Sequence, residues 1–190
     1  MLKMRITGGK YCGRKVIIPE GSLEIRPAMD RMRESLFSIL GPLEGCSFCD
    51  LFSGSACVGL EAASRGASTV HCVEMDRKKR SVMEQNISFA KDECHIQLFF
   101  SDVLVYIPAS KTQYDIVYAD PPFPMDNKTK IAYLVNKKKI VVPGGLFIIH
   151  IPASEEGQWE EQIGDLRLTD TRKYGRNMIK FYRMREEENE

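Results

Sequence analysis

From Cys46 onward, apolar runs of strand length alternate with stretches in which apolar residues recur at helical spacing. Strands are predicted at Cys46–Phe52, Ser68–Glu74, His95–Phe100, Tyr114–Ala119 and Leu146–Ile151, and helices at Val58–Arg65, Arg77–Ala90 and Lys128–Lys138. This alternation is typical of an α/β fold in which a parallel sheet carries helices on both faces. Two further runs, near Leu166–Thr171 and Met178–Met184, predict an antiparallel hairpin at one edge of the sheet.

The N-terminal part of the chain has a different pattern. Residues 3–9 and 14–18 are predicted to be two short strands around a turn that contains glycine and lysine. A segment with proline and glycine comes next at residues 19–27, and helical spacing then begins at Met29 and ends at Gly41-Pro42. We therefore expect a hairpin extension at residues 1–27, a core domain at residues 28–185 and an acidic tail at residues 186–190.

The composition, with 43% hydrophobic and 28% charged residues, is that of a globular protein. No run approaches the roughly 20 apolar residues of a membrane span, and the N-terminus does not resemble a secretory signal. We expect a cytoplasmic protein without membrane contact, acting as a monomer. Cys46-x-x-Cys49 has no second pair at zinc spacing, so buried thiols are favoured over a metal site. The three histidines share no spacing and are interpreted as core residues.

Positive charge is unevenly placed, although the formal net charge is only +1. Residues 1–40 carry eight basic and four acidic side chains, and residues 172–185 carry six basic side chains and no acidic one. Residues 127–139 contain five lysines, Lys128 among them, without an acid. Such patches either bind phosphate backbones or form solvated surfaces, and charge alone does not decide between the two.

The segment Asp50-Leu-Phe-Ser-Gly-Ser-Ala-Cys-Val-Gly59 joins the first long strand to a helix. Ligands of open α/β sheets bind at this end of the strands. The small residues Ser53, Gly54 and Ser55 would let a cofactor approach the backbone closely. The spacing does not match the glycine pattern of dinucleotide sites or of phosphate-binding loops, so diphosphate cofactors are disfavoured.

Acidic residues also stand at the ends of the next two predicted strands. Glu74 ends the second strand, where an acid can accept hydrogen bonds from both hydroxyls of a ribose. Asp102 comes after the third strand, where its carboxylate could accept an adenine amino proton and the Val103 amide could bind a ring nitrogen. Any one of these acids alone would equally suit a strand end that faces water, but three on one rim indicate a nucleoside cofactor.

Asp120-Pro121-Pro122-Phe123 comes directly after the strand Tyr114–Ala119 and is the most specific motif in the chain. The amino nitrogen of a nucleobase is a poor nucleophile because its lone pair is delocalised into the ring. A carboxylate and a backbone carbonyl that accept both N–H protons can redirect this lone pair toward a methyl donor. The prolines fix the backbone, and Phe123 offers a surface on which a base can stack. A rigid turn capped by a core aromatic is the alternative interpretation.

With these motifs assembled, the chain resembles class I methyltransferases, and more narrowly the RsmD family of 16S rRNA guanine-N2 methyltransferases. The resemblance covers nearly the whole chain and depends on Arg5-Ile-Thr-Gly-Gly, Gly13-Arg-Lys, Arg26-Pro27, Asp30-Arg31-Met-Arg33-Glu34-Ser-Leu-Phe37, Asp50-Leu-Phe-Ser-Gly-Ser, Gly59-Leu-Glu-Ala62, Ser64-Arg-Gly-Ala67 and Asp120-Pro-Pro-Phe123. The N-terminal motifs are more specific than those of the methyltransferase core.

The resemblance implies a Rossmann-like sheet of seven strands, six parallel and one antiparallel, preceded by a small N-terminal β-hairpin. It implies transfer of methyl from S-adenosylmethionine to N2 of one guanine in 16S rRNA, within a 30S assembly particle of a bacterium. The residues expected to bind the cofactor are Asp50, Phe52, Ser53, Gly54, Ser55, Glu74, Met75, Asp102 and Val103. The residues expected to bind RNA are Arg5, Lys10, Arg14, Lys15, Arg26, Arg31 and Arg33. Those expected at the reacting base are Asp120, Pro121, Pro122 and Phe123, and no metal is expected.

The sequence departs from the family pattern at two positions. Ala56 stands where the family usually has glycine, which costs about 1 kcal/mol or more if φ is positive there. Ala28 stands where the family often has threonine, so one hydroxyl contact is missing.

Three other functions would account for part of the sequence. An adenine-N6 methyltransferase acting on DNA or RNA would use the same Asp-Pro-Pro-aromatic chemistry, but the N-terminal motifs argue against it. A ribosome-assembly factor that binds RNA without catalysis would not need Asp120, Glu74 or Asp102. A small-molecule methyltransferase would leave the basic N- and C-terminal segments without a role.

Overall fold

A computed structural model describes residues 1–21 and 27–187. The chain divides into two compact units, Met1–Phe100 and Ser101–Glu190. The predictions for Arg26, for the side chain of Ala28 and for the end of the acidic tail lie outside the described residues. The predicted division at residues 27 and 185 stays a prediction.

The first unit consists of a small hairpin and a three-stranded parallel sheet with helices. Its strands are β1 (Lys3–Arg5), β2 (Lys15–Ile17), β3 (Ser47–Leu51), β4 (Thr69–Glu74) and β5 (His95–Phe100), and its helices are α1 (Pro27–Leu40), α2 (Cys57–Ser64) and α3 (Arg80–Ile87). The parallel strands lie in the order β5-β4-β3. β3 and β4 are buried on both faces, which is why each reads as a continuous apolar run.

The hairpin β1–β2 is attached to α1 and α2 through the carboxylate of Glu61. This side chain is fully buried and accepts hydrogen bonds from the Thr7 amide at 2.5 Å, from Arg33 Nε at 3.1 Å and from Arg65 Nε at 3.3 Å. At the end of α2, Ser64 Oγ donates to the Gly8 carbonyl at 2.6 Å. The predicted N-terminal hairpin is therefore present, and polar anchors join it to the helices of this unit.

The second unit contains a mixed sheet and two helices. Its elements are α4 (Val103–Ala109), β6 (Tyr114–Ala119), α5 (Thr129–Lys138), β7 (Val141–Pro152), β8 (Gln162–Ile163), β9 (Leu166–Tyr174) and β10 (Asn177–Met184). The strands lie in the order β6-β7-β10-β9-β8; β6 and β7 are parallel, and β10 is antiparallel to both of its neighbours. The predicted terminal hairpin is thus confirmed as β9–β10. Within the described residues, β3–β7, β9 and β10 account for the seven predicted strands, and the two-residue β8 is additional.

Several elements differ from the sequence predictions. α4 was not predicted, because its residues are apolar and β-branched and the helix has only seven residues, including Pro108. β7 begins five residues earlier than expected and runs through Gly144-Gly145. The helix predicted from Arg77 begins as a 3-10 turn and ends at Ile87. His95 is exposed, so its interpretation as a core residue was wrong, whereas His71 is buried.

The described helices are all too short or too polar to cross a membrane.

Ala56, immediately before α2, has a left-handed backbone with φ 67° and ψ 17°. Its side chain is fully buried. Left-handed geometry costs an alanine roughly 1–2 kcal/mol more than a glycine, because Cβ approaches the following carbonyl. Because φ is positive at this position, the alanine that stands where the family usually has glycine carries this conformational cost.

We predict that Ala56→Gly destabilises the protein less than Ala67→Gly does, by about 1 kcal/mol in the free energy of unfolding. Each substitution removes one buried methyl group outside a helix, and Ala56 alone of the two has positive φ. Urea unfolding of both variants measures the difference. Equal losses of stability would show that Ala56 carries no backbone strain.

Candidate active site

Asp50, near the end of β3, organises the loop that leads into α2. Its carboxylate is buried, and Oδ2 accepts hydrogen bonds from Ser53 Oγ at 2.7 Å and from the Gly59 amide at 3.0 Å. These bonds hold both ends of the loop to one strand. The structure thus gives Asp50 a supporting role, and its direct contact with a cofactor stays a prediction.

The loop between β3 and α2 exposes its backbone at Gly54. Phe52 and Gly54 both have φ of 60°, so the chain turns sharply at these two residues. A Cβ built on Gly54 would have no neighbouring atom within 4 Å. The Gly54 backbone is therefore open on this side, and the close approach of a cofactor stays a prediction. Ser53 is buried under this turn, and Ser55 is half-buried.

Glu74, the last residue of β4, lies against the same loop. Its Oε2 accepts a hydrogen bond from the Gly54 amide at 2.8 Å, and its Oε1 accepts one from the Asp76 amide at 2.9 Å. Lys79 Nζ lies 3.3 Å from Oε1. Each carboxylate oxygen can accept more than one hydrogen bond. Met75, the next residue, is 68% exposed, so the structure brings an acceptor, an open backbone and an apolar side chain together.

In the second unit, Asp102 caps helix α4. Its Oδ1 accepts a hydrogen bond from the Leu104 amide at 2.8 Å, which satisfies one of the free N–H groups at the start of the helix. Asp102 is exposed, whereas the side chain of Val103 is buried. The cap was not anticipated, because α4 itself was not predicted.

The Asp120-Pro121-Pro122-Phe123 motif comes after β6 as predicted. The Asp120 side chain is 34% exposed, and its Oδ1 lies 2.7 Å from His150 Nδ1. Pro121 is buried, Pro122 is exposed, and Phe123 is 42% exposed. A carboxylate and an aromatic side chain are thus both accessible on one turn that contains two prolines.

His150, on β7, is a site residue that sequence reasoning missed. Its side chain is 2% exposed, its Nε2 lies 2.9 Å from Asn177 Oδ1, and its ring packs against the ring of Phe123 with centroids 5.5 Å apart. Burial by itself lowers the pKa of His150, but the charge and hydrogen bond of Asp120, with the bond to Asn177, outweigh it and raise the pKa above 6.5. The sequence signal was a lone polar residue in an apolar strand, which also fits a core histidine.

Lys128 corrects the interpretation of the basic run at residues 127–139. Its side chain is buried, and Nζ donates hydrogen bonds of 2.8 Å to the carbonyls of Phe123 and Met125 and to Glu155 Oε1. A buried ammonium with three acceptors does not face a phosphate backbone. Lys128 instead holds the segment that comes after the two prolines.

Six of the seven residues predicted to bind RNA lie in the described part of the chain, and they fall into two groups. Those that are exposed are Arg5, Lys10, Arg14, Lys15 and Arg31. Arg33 is only 4% exposed, and its guanidinium is taken up by Glu61, by Asp30 at 3.1 Å and by the Arg5 carbonyl at 2.6 Å. The prediction for Arg33 is therefore corrected, because this side chain stabilises the helix–hairpin junction instead of facing solvent.

Residues 4–183 match the family model described as conserved hypothetical protein 95. Ribosomal RNA small subunit methyltransferase D of Escherichia coli K12 is 37% identical over 122 residues, which are 64% of this chain and 61% of that protein's length. The Haemophilus influenzae protein of the same name is 30% identical over 77% of this chain and 78% of its own. The solved structure of the Escherichia coli protein yhhF is 26% identical and covers 97% of this chain and 99% of its own, with a TM-score of 0.83.

The solved structure of TrmN from Thermus thermophilus shares the fold at 19% identity, with a TM-score of 0.63. The predicted α/β methyltransferase fold with an N-terminal hairpin is thereby confirmed. Because the family model matches almost the whole chain, this protein belongs to the family described as conserved hypothetical protein 95, which is the RsmD family that its motifs predicted.

Proposed function

We propose that this protein transfers a methyl group from S-adenosylmethionine to N2 of a guanine in the 16S rRNA of the small ribosomal subunit. The observation that carries the proposal is the accessible carboxylate of Asp120, buttressed by His150, on the turn that also presents Phe123. The names of the relatives from Escherichia coli and Haemophilus influenzae support small-subunit rRNA as the substrate class.

The residues of the first unit suit the nucleoside part of such a cofactor. Glu74 has acceptor capacity beyond its two backbone bonds, and the open backbone at Gly54 lies beside it. We assign the ribose hydroxyls to Glu74 and an apolar contact to the exposed Met75. The assignment of the adenine amino group to Asp102 and of a ring nitrogen to the Val103 amide, both in the second unit, rests on the sequence alone. When bound, S-adenosylmethionine supplies a methyl group on a positively charged sulfur.

The Asp120 turn would bind and orient the target base. Oδ2 of Asp120, which has no hydrogen-bond partner among the described residues, accepts one amino N–H, and a carbonyl of the proline segment accepts the other. Phe123 stacks on the base, which has to leave its helix to reach the turn. Most of the acceleration then comes from holding the nitrogen lone pair in line with the methyl group, and no covalent intermediate is needed.

The exposed surface of the N-terminal hairpin suits the RNA backbone. Arg5 and Lys15 pair directly across the two strands, so their side chains project from the same face. Neither side chain has a charged partner among the described residues, and like charges opposite each other are unfavourable unless an anion lies between them. Arg14, above the ring of Phe89 at 4.8 Å, extends the positive surface. We assign this surface, together with Arg31, to phosphate groups of rRNA.

Replacing Glu74 tests the cofactor assignment. Glu74→Ala should weaken binding of S-adenosylhomocysteine by about 1–3 kcal/mol, because the ribose hydroxyls lose their acceptor. Calorimetry measures the affinity, and thermal unfolding checks that the loop remains folded. Glu84→Ala, at an exposed residue of α3, is the control. A folded Glu74→Ala protein with wild-type affinity would remove the ribose assignment.

Replacing Asp120 tests the proposed reaction. Asp120→Ala should reduce single-turnover methylation of 30S material by about 10²-fold or more, while the affinity for the cofactor changes little. Phe123→Ala should weaken binding of the target by about 1–3 kcal/mol. Asp126→Ala makes the same change of charge at an exposed residue nearby and should leave the rate unchanged.

Nucleoside analysis of the methylated RNA identifies the product. N2-methylguanosine supports the proposal, whereas N6-methyladenosine would favour the adenine-specific alternative. An Asp120→Ala protein that methylates RNA at the wild-type rate would show that the reaction does not need Asp120 and that the turn has only a structural role.

Replacing Arg5 and Lys15 together by alanine tests the RNA surface. The affinity for rRNA should fall, and the dependence of log K on log salt should become shallower by roughly one to two units, because two phosphate contacts are lost. Lys78 and Lys91, exposed elsewhere in the same unit, provide a control double variant with the same change of charge. Equal effects in both double variants would mean that the hairpin has no specific role. Deleting the hairpin is less informative, since it would expose the buried Glu61.

A further inference from the structure

Three polar side chains of the second unit form a continuous chain of hydrogen bonds. Asp120 comes directly after β6, His150 lies on β7 and Asn177 opens β10. The two ring nitrogens of His150 lie 2.7 Å from Asp120 Oδ1 and 2.9 Å from Asn177 Oδ1. With the Asn177 amide in this orientation both partners are acceptor oxygens, and both ring nitrogens bond to them when each carries a hydrogen. A histidine with two N–H groups is the positively charged imidazolium.

The surroundings of the ring favour this charged form. Among the described residues, Asp120 is the charged group that acts on His150; β10 contributes the neutral Asn177, and the turn contributes the uncharged ring of Phe123. A carboxylate at hydrogen-bond distance stabilises an imidazolium strongly when water is excluded, and His150 is almost completely buried. The histidine therefore keeps its proton to a higher pH than an ordinary histidine does.

We propose that His150 is a positioning residue for methyl transfer: held by Asn177 as an imidazolium, it fixes one oxygen of Asp120 so that the other oxygen meets the target amino group. This inference rests on the proposed function. The second oxygen, Oδ2, belongs to a side chain that is 34% exposed and has no partner of its own among the described residues. A misplacement of about 1 Å at such a group costs on the order of 10²-fold in rate.

The pair makes activity depend on pH in a defined direction. When the imidazolium loses a proton, the Asn177 amide can turn its NH2 group to the bare ring nitrogen, but the bond to Asp120 loses the positive charge that strengthened it. Turnover should therefore fall as the pH rises through the raised pKa of His150. Because the folded-state pKa is above the unfolded value, the stabilisation from this pair is complete below pH 6.5 and is lost over the same rise.

Two substitutions of Asn177 separate positioning from a merely structural role. Asn177→Asp keeps the acceptor oxygen and adds negative charge, so it should move the titration of His150 to higher pH. Asn177→Leu has a similar shape but no acceptor, so it should move the titration to lower pH. NMR of histidine labelled with carbon-13 at Cε1 monitors the titration without any turnover, and His150→Gln identifies the resonance. Asp120→Asn should also lower the midpoint.

The pH at which kcat falls on the alkaline side is measured by methyl transfer to 30S material. In wild type and in both Asn177 variants this pH should shift together with the NMR midpoint. His150→Ala should lose about tenfold or more in kcat. His150→Gln, whose amide can donate one hydrogen bond to Asp120, should retain more activity and show no fall with pH in this range.

Each outcome has a separate meaning. A wild-type NMR midpoint at or below 6.5 would overturn the imidazolium assignment, whatever the substrate. An NMR midpoint that shifts while the fall of kcat stays in place would overturn the positioning role and leave the proposed function intact. If no RNA guanine is methylated, the proposed function fails, and with it the positioning role, whereas the titration still tests the pair.

Discussion

The buried carboxylate of Glu61 joins three elements of the first unit. Glu61 accepts hydrogen bonds from the hairpin through the Thr7 amide, from α1 through Arg33 and from the end of α2 through Arg65. Removing one partner from a buried ionic group costs about 3–5 kcal/mol, because the other charge is left uncompensated. The N-terminal hairpin is therefore bound to the helices by charge and hydrogen bonds, and its basic face is presented on a rigid support.

The same helix that carries Glu61 also sets the loop at the end of β3. Asp50 ties this loop to the first turns of α2, and Gly59 lets the helix lie close to β4, since a Cβ there would be 2.7 Å from Cys72 Sγ. The close approach of α2 and the tie from Asp50 give the loop its sharp turn, which places the Gly54 amide against Glu74. The strain at Ala56 is part of this arrangement, and the surrounding bonds hold the residue in its left-handed conformation.

In the second unit, the turn that carries Asp120 is likewise held in place by neighbouring residues. The two prolines restrict the backbone, and Lys128 binds the carbonyls of Phe123 and Met125 while Glu155 balances its charge. His150 Nδ1 lies 2.7 Å from one oxygen of the Asp120 carboxylate. The turn is therefore fixed at its backbone and at the Asp120 side chain, which is the preorganisation that the proposed binding of a base calls for.

Local pattern was enough to predict much of this protein. Periodicity located the strands β3 to β6 within one residue; β3, β4 and β6 are largely buried parallel strands, which read as mostly apolar runs. The acidic residues after those strands, and the Asp120-Pro-Pro-Phe123 motif, placed the candidate site at strand ends, because residues adjacent in sequence to a strand end must lie at that edge of the sheet. The short capped helix α4 was not predicted, because seven apolar residues in a row show no periodicity that distinguishes a helix from a strand.

Which charges are buried was decided only by the tertiary structure. Arg33 and Lys128 look like members of exposed basic runs, but Glu61, the fully buried carboxylate that pairs with Arg33 beside the nearby Asp30, and Glu155, which pairs with Lys128, lie 28 and 27 residues away along the chain. His150 likewise finds its acceptors 30 and 27 residues away. A buried charge is stable only with a partner at hydrogen-bond distance, and a partner so remote in sequence is supplied by the folded chain alone.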